Sequence, residues 1–134
     1  MLAKTMKYLA DQIAIYENIQ SSFPKLEMGD YSIGSDVHKL FCTVRDTLSL
    51  LRMLLVEAKE ADSYDDFKAI MDEMDAEYRD RAKKAADWAE YLKNRRDMGY
   101  ISAKINAEAA QLPVNVIGSV HSGLRQMEYA DLME

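Results

Sequence analysis

The hydrophobic side chains of this chain recur at alternating spacings of three and four residues, the pattern of helices that pack against other helices. The first such stripe predicts a helix from about Leu2 to Ser22, which Pro24 ends. Asp11 and Glu17 within it favour packing against a protein core over a membrane-surface role. Residues 24–36 follow as a connection longer than a helical bundle needs. Its apolar side chains either cover the open end of the bundle or form a recognition loop; they are Leu26, Met28, Tyr31 and Ile33.

A second helix is predicted from an N-cap at Ser35 or Asp36 to about Ala61. Its main apolar stripe has no interruption and comprises Val37, Phe41, Val44, Leu48, Leu51, Leu55 and Ala58. A weaker seam on the opposite side comprises Cys42, Ser49, Met53 and Val56. A helix that is apolar on two sides is central in its bundle or is partly covered by a second subunit. We therefore expect Cys42 to be a small buried side chain rather than a nucleophile.

A third helix begins at Ser63 with a Ser-x-x-acid capping pattern, and no helix breaker follows until Gly99. About 35 residues of helix make a rod about 50 Å long, which exceeds what a small domain needs. The last segment resumes at Ser102 and has an ambiguous pattern. Pro113 either interrupts a short helix or occupies the first turn of a final helix to about Leu132. Residues 114–121 also permit a short extended stretch.

The composition agrees with helix throughout, since the 134 residues include five glycines and two prolines. We predict an all-α fold: one domain, residues 1–134, built as a bundle of about four helices with one long helix of about 35 residues. The single cysteine favours a reducing compartment. The richest apolar stretch contains Arg52 and is too short to span a bilayer, so we expect a soluble, cytoplasmic protein with no membrane partner.

The net charge of −6 hides an asymmetry in the middle of the chain. Residues 57–80 carry ten acidic and three basic side chains, whereas residues 81–104 carry seven basic and three acidic ones. On a helical wheel, one flank of the third helix runs from acidic at its start to basic and aromatic at its end. We call it the charged flank; its members are Asp66, Glu73, Glu77, Arg81, Lys84, Trp88, Tyr91 and Arg95.

Three interpretations of the charged flank compete. In the first, the helix dipole and ion pairs within the helix explain the charges, and Arg81 or Lys84 lies over Trp88 at the edge of the core. The expected pairs are Asp75–Arg79, Glu77–Arg81 and Asp80–Lys84. In the second, an antiparallel copy of the helix, crossing near residues 79–82, sets each acidic half against the basic half of its partner.

In the third interpretation, the partner is connected with nucleic acid. The basic and aromatic side chains would contact phosphates and bases, or the acidic segment would imitate nucleic acid and block a nucleic-acid-binding protein. The excess of acidic residues over 57–80 opposes direct binding to a long polyanion. Direct binding is therefore disfavoured relative to the first two interpretations.

Sequence motifs for catalysis or metal binding do not occur in the chain. His38 and His121 lack the spacing of a metal site, and neither a phosphate-binding glycine loop nor a nucleophile elbow is present. A lone histidine such as His121 is more often structural than catalytic. We therefore predict a non-catalytic protein–protein interaction module with no cofactor and no metal: an adaptor, accessory or inhibitor protein acting as a homodimer. The alternative is a nucleic-acid-associated protein.

Overall fold

The computed structural model describes residues 1–23 and 36–134, and within these ranges it contains four helices and no strand. The helices are α1 (Leu2–Ser22), α2 (Asp36–Glu60), α3 (Tyr64–Asn94) and α4 (Tyr100–Met133). The predicted all-α fold of about four helices is confirmed. The connection over residues 24–35, predicted as a bundle plug or a recognition loop, lies outside the described residues.

The chain divides into two compact units, Met1–Phe67 and Lys68–Glu134. The boundary lies in the first turn of α3, so that helix begins in the first unit and continues in the second. Ser63 caps α3 as predicted, because its Oγ accepts a hydrogen bond from the backbone N–H of Asp66 at 3.1 Å. The single domain predicted over residues 1–134 stays a prediction.

In the first unit, α1 and α2 pack against each other in antiparallel order. Phe23 follows the end of α1 and meets Phe41, near the start of α2, edge to face at 5.9 Å between ring centroids. Farther along, Glu17 Oε1 lies 3.8 Å from Arg52 Nη2. The apolar side chains buried in this unit include Leu9, Ile13, Val44, Leu48, Leu51, Leu54 and Ala58.

The second apolar seam predicted on α2 lies at the surface, where Met53 and Val56 are exposed. Cys42 is half-buried, and its Sγ lies 3.7 Å from Nε2 of His38 one turn earlier. The prediction of a buried Cys42 is therefore wrong in degree. The start of α2 is poorly covered in the described structure, since its large apolar side chain Leu40 is also exposed.

In the second unit, α3 and α4 form an antiparallel hairpin. Small and branched side chains pack next to its turn; they are Ala89, Leu92 and Ala103, bordered by Tyr100 and Ala107. Farther from the turn, Lys68 Nζ lies 3.0 Å from Glu128 Oε1, and His121 Nε2 lies 3.3 Å from Asp72 Oδ1. His121 therefore has a polar partner on the neighbouring helix.

Helix α4 is continuous over 34 residues with Pro113 in its interior, so all three alternatives are wrong: the interruption at Pro113, a final helix that starts there, and the extended stretch at 114–121. Pro113 removes a backbone hydrogen bond and crowds the preceding turn, which costs a helix interior about 3 kcal/mol. However, α4 buries Val114, Ile117 and Leu124 near this point, and each fully buried side chain contributes about 1.5–3 kcal/mol. The free energy gained by burying this apolar face outweighs the cost of a proline inside the helix.

Helix α3 ends at Asn94 rather than at the predicted Gly99, because the chain needs residues 95–99 to reverse direction into α4. Arg96 adopts the left-handed conformation, with φ of 54°. Its N–H donates to the carbonyl of Lys93 and the next N–H donates to the carbonyl of Leu92, both at 3.0 Å. These two bonds form a Schellman motif with Arg96 at C′. The helix therefore has 31 residues rather than the predicted ~35.

Replacing Arg96 with glycine is expected to raise the free energy of unfolding by about 0.5–1 kcal/mol. Glycine removes the cost of ~1–2 kcal/mol for a left-handed L-residue and returns part of that gain by loosening the unfolded chain. Urea unfolding followed by circular dichroism measures the change. Lys93→Gly, on the exposed surface of the last turn of α3, is the matched control and should lose about 1 kcal/mol. A loss of stability in both variants would contradict the assigned role of Arg96.

Candidate functional site

All eight residues of the charged flank lie at the surface. Asp66 occupies the first turn of α3, in the first unit. The other seven lie in the second unit, six of them within α3 and Arg95 just after its last helical residue. The predicted flank is therefore accessible along its length, and its members differ in what they contact.

The ion pairs predicted within α3 are present. Arg81 Nη2 contacts Glu77 Oε1, Lys84 Nζ lies 2.9 Å from Asp80 Oδ2, and the third pair, Asp75–Arg79, joins Nε to Oδ2 at 2.8 Å. A further pair joins Lys83 to Asp87 at 3.2 Å. Pairs of this kind on an exposed helix contribute about 0.3–0.5 kcal/mol each. These ion pairs account for the charges of α3 between residues 75 and 87, as the first interpretation expects.

The aromatic end of the flank has a different arrangement, which we call the aromatic cluster: Trp88, Tyr91 and Arg95. The rings of Trp88 and Tyr91 are stacked, with centroids 5.5 Å apart and planes 19° apart. Arg95 Nη1 donates a hydrogen bond to the Tyr91 hydroxyl at 2.8 Å, and the guanidinium carbon lies 5.4 Å from the ring centroid. Tyr91 is thus held by two contacts, one with a ring and one with a guanidinium group.

The position predicted for Trp88 is wrong. Neither Arg81 nor Lys84 covers its ring, since the Arg81 guanidinium lies 5.6 Å from the centroid of Tyr78 instead. Trp88 is 56% exposed and Tyr91 48% exposed, so neither side chain closes the edge of the core. Only the neighbouring positions Ala89 and Leu92 are buried. The i,i+3 spacing of the two rings was the available signal for their stacking, and the i,i+4 spacing was the signal for the bond to Arg95.

Arg95 differs from the four cations at positions 79–84 of α3. Arg79, Arg81, Lys83 and Lys84 each pair with a carboxylate on the same helix. In the part of the chain that the structure describes, Arg95 has only its contact with Tyr91 and no ion pair. The aromatic cluster therefore combines two exposed rings with a positive charge that is available to an external acid.

The described residues do not support a metal site or a membrane-spanning helix. Over residues 1–23 and 36–134, no three histidine, cysteine or acidic side chains converge in a way that holds a metal ion. No helix in these ranges is both long and apolar enough to cross a membrane. No protein-family model, curated protein sequence or solved structure matches this chain.

Proposed function

We propose that this chain is a non-catalytic protein–protein interaction module of the cytoplasm, and that the aromatic cluster on α3 is its docking surface. The observation that carries the proposal is an exposed tryptophan stacked on a tyrosine that an arginine holds in place. Tryptophan, tyrosine and arginine are the residue types that dominate the binding energy of protein interfaces. The single cysteine agrees with a reducing compartment.

The order of the cluster supports the same proposal. A side chain that loses its rotamer freedom on binding costs about 0.5–1.5 kcal/mol, and the contacts of Tyr91 reduce this cost before any partner arrives. Trp88 is 56% exposed and its ring is largely apolar, and removing apolar surface from water contributes about 25 cal/mol per Å². A partner that covers the two rings therefore gains hydrophobic free energy at a reduced cost in entropy.

The charges around the cluster make nucleic acid the less favoured partner. A phosphate backbone would have to compete with Glu77 for Arg81 and with Asp80 for Lys84. The ten carboxylates over residues 57–80 would repel it as well. Direct binding to nucleic acid should weaken steeply with salt and should disappear in the variant Lys84→Glu/Arg95→Glu.

Site-specific photo-crosslinking tests the proposal and captures a partner of any sequence. A benzophenone amino acid replaces Lys84, which lies one turn before Trp88 and leaves the aromatic cluster intact. The same replacement at Lys93, an exposed lysine of α3 outside the charged flank, is the matched control. We expect covalent protein adducts in cells from position 84, few from position 93, and loss of the adducts when Trp88→Ala is added.

Two results would overturn the proposed function. Equal labelling from positions 84 and 93 would mean that the cluster is not a preferred contact surface. Adducts that a nuclease removes would assign the surface to nucleic acid.

A further inference from the structure

Six exposed residues of the charged flank form a symmetric row along α3, which we call the α3 row. Their spacings are four, three, four, three and four, and the centre of the row lies at the level of residue 86; the members are Glu77, Arg81, Lys84, Trp88, Tyr91 and Arg95. Alternating spacings of three and four keep a row on one side of a helix, as in a coiled-coil seam. An antiparallel second copy centred at this level would therefore face the row with the same residues in reverse order.

We propose that the partner of this surface is a second copy of the chain, bound antiparallel with its twofold axis at the level of residue 86. This inference rests on the proposed function and names the partner. In this register Glu77 faces the second copy's Arg95, Arg81 faces its Tyr91, and Lys84 faces its Trp88. Because a twofold interface is reciprocal, each of these contacts occurs twice.

Every facing pair is chemically complementary. The Glu77 carboxylate gives Arg95 the acid that it lacks within the described part of its own chain. The other two pairs set a cation against an aromatic ring, an attraction that strengthens when water is excluded from the contact. Since Glu77 already contacts Arg81 and Arg95 already contacts Tyr91, the four groups would close into one network.

The register at residue 86 is better supported than a crossing near residues 79–82. A crossing between residues 80 and 81 would place Arg95 opposite Asp66, and Trp88 opposite Glu73, where a carboxylate meets the negative face of the ring. The register at 86 instead sets Trp88 two residues from the axis. The centre of an interface is where the residues that dominate binding concentrate and where water is excluded.

The size of the contact predicts a weak dimer. Eighteen residue steps from Glu77 to Arg95 correspond to about 27 Å of helix. A single helix pair of this length falls in the class of small, transient interfaces. We therefore expect a weak dimer with a dissociation constant below about 1 mM. Sedimentation of the full chain should show a fraction of dimer that rises with protein concentration up to this value.

Charge exchange between two variants tests both the partner and the register. Glu77→Arg alone and Arg95→Glu alone each set like charges against each other twice, and each should weaken dimerisation about 10–50-fold. An equimolar mixture of the two variants restores opposite charges at both positions, so the dimer should return as a heterodimer. Circular dichroism checks that both variants keep their helix content.

Two further variants serve as controls for this experiment. Lys93→Glu reverses a charge on α3 outside the row and should leave the dimer unchanged. Asp66→Arg alone keeps both Glu77 and Arg95 and should also leave the dimer unchanged, whereas the crossing between residues 80 and 81, which sets Asp66 against Arg95, requires that it weaken the dimer.

Each other outcome overturns the inference in a distinct way. A wild-type chain that stays monomeric up to about 1 mM excludes the second copy, while crosslinks to other proteins from position 84 would still support a docking surface. A wild-type dimer that the mixture of Glu77→Arg and Arg95→Glu fails to restore excludes the register. A dimer that Asp66→Arg alone weakens moves the axis towards residues 80 and 81.

Discussion

Replacing Leu54 with alanine is expected to lower the free energy of unfolding by about 3 kcal/mol. The Leu54 side chain on α2 is fully buried, with 0% of its surface exposed. Truncation removes the apolar contacts of three carbon atoms and leaves a cavity that the surrounding helices fill only in part. Urea unfolding followed by the helical circular dichroism signal measures the loss.

Val56 is the matched control for this prediction, because it lies on the same helix two residues later and is 51% exposed. Val56→Ala also shortens an apolar side chain on α2, but it opens no cavity, so we expect a change within about 0.5 kcal/mol. A loss at position 54 as small as that at position 56 would contradict the assignment of Leu54 to the core.

Replacing Pro113 with alanine is expected to raise the free energy of unfolding by about 2 kcal/mol. Alanine restores an N–H that can donate to the carbonyl one turn earlier, and it removes most of the ~3 kcal/mol that proline costs a helix interior. Part of that gain, about 0.4–1 kcal/mol, is lost because alanine leaves the unfolded chain more flexible than proline does. Urea unfolding of the full chain measures the difference.

Gly118 supplies the comparison within the same helix. A methyl group added at Gly118 would meet nothing within 4 Å, so Gly118→Ala changes helix preference without a clash. Its expected gain is about 1 kcal/mol. Pro113→Ala should therefore stabilise the protein about twice as much as Gly118→Ala. No gain at either position would mean that α4 is not helical through this stretch.

The apolar pattern was sufficient to predict α1 and α2, because long uninterrupted stripes between clear breakers leave little choice of structure. It failed at the end of α3, where Arg96 takes the left-handed position that Gly99 was expected to occupy. The reversal into α4 sets that position, and an arginine offers no local signal for it. The pattern also failed in α4, where Pro113 predicts a break or a helix start. Burial of the apolar face further along this helix outweighs the cost of the proline, and that burial depends on α3, which no local window of sequence includes.

The candidate site could be predicted in part from a helical wheel. Spacing alone identified the charged flank and the three predicted ion pairs of α3, because partners one turn apart are necessarily close. It did not establish whether Trp88 is buried or exposed, since that depends on how far α4 covers the flank. The symmetry of the α3 row is also present in the spacing, but it becomes relevant to binding once all six members are known to be exposed.

Trp88 is the sole tryptophan of the chain and lies more than half exposed on the aromatic cluster. Its intrinsic fluorescence therefore reports on this one surface and not on the buried interior. Emission from the free protein should be red-shifted and readily quenched by acrylamide, and it should change little as the core melts. Any partner that covers the cluster should shift the emission to shorter wavelengths and protect it from the quencher, so the unlabelled wild-type chain carries its own optical probe of docking.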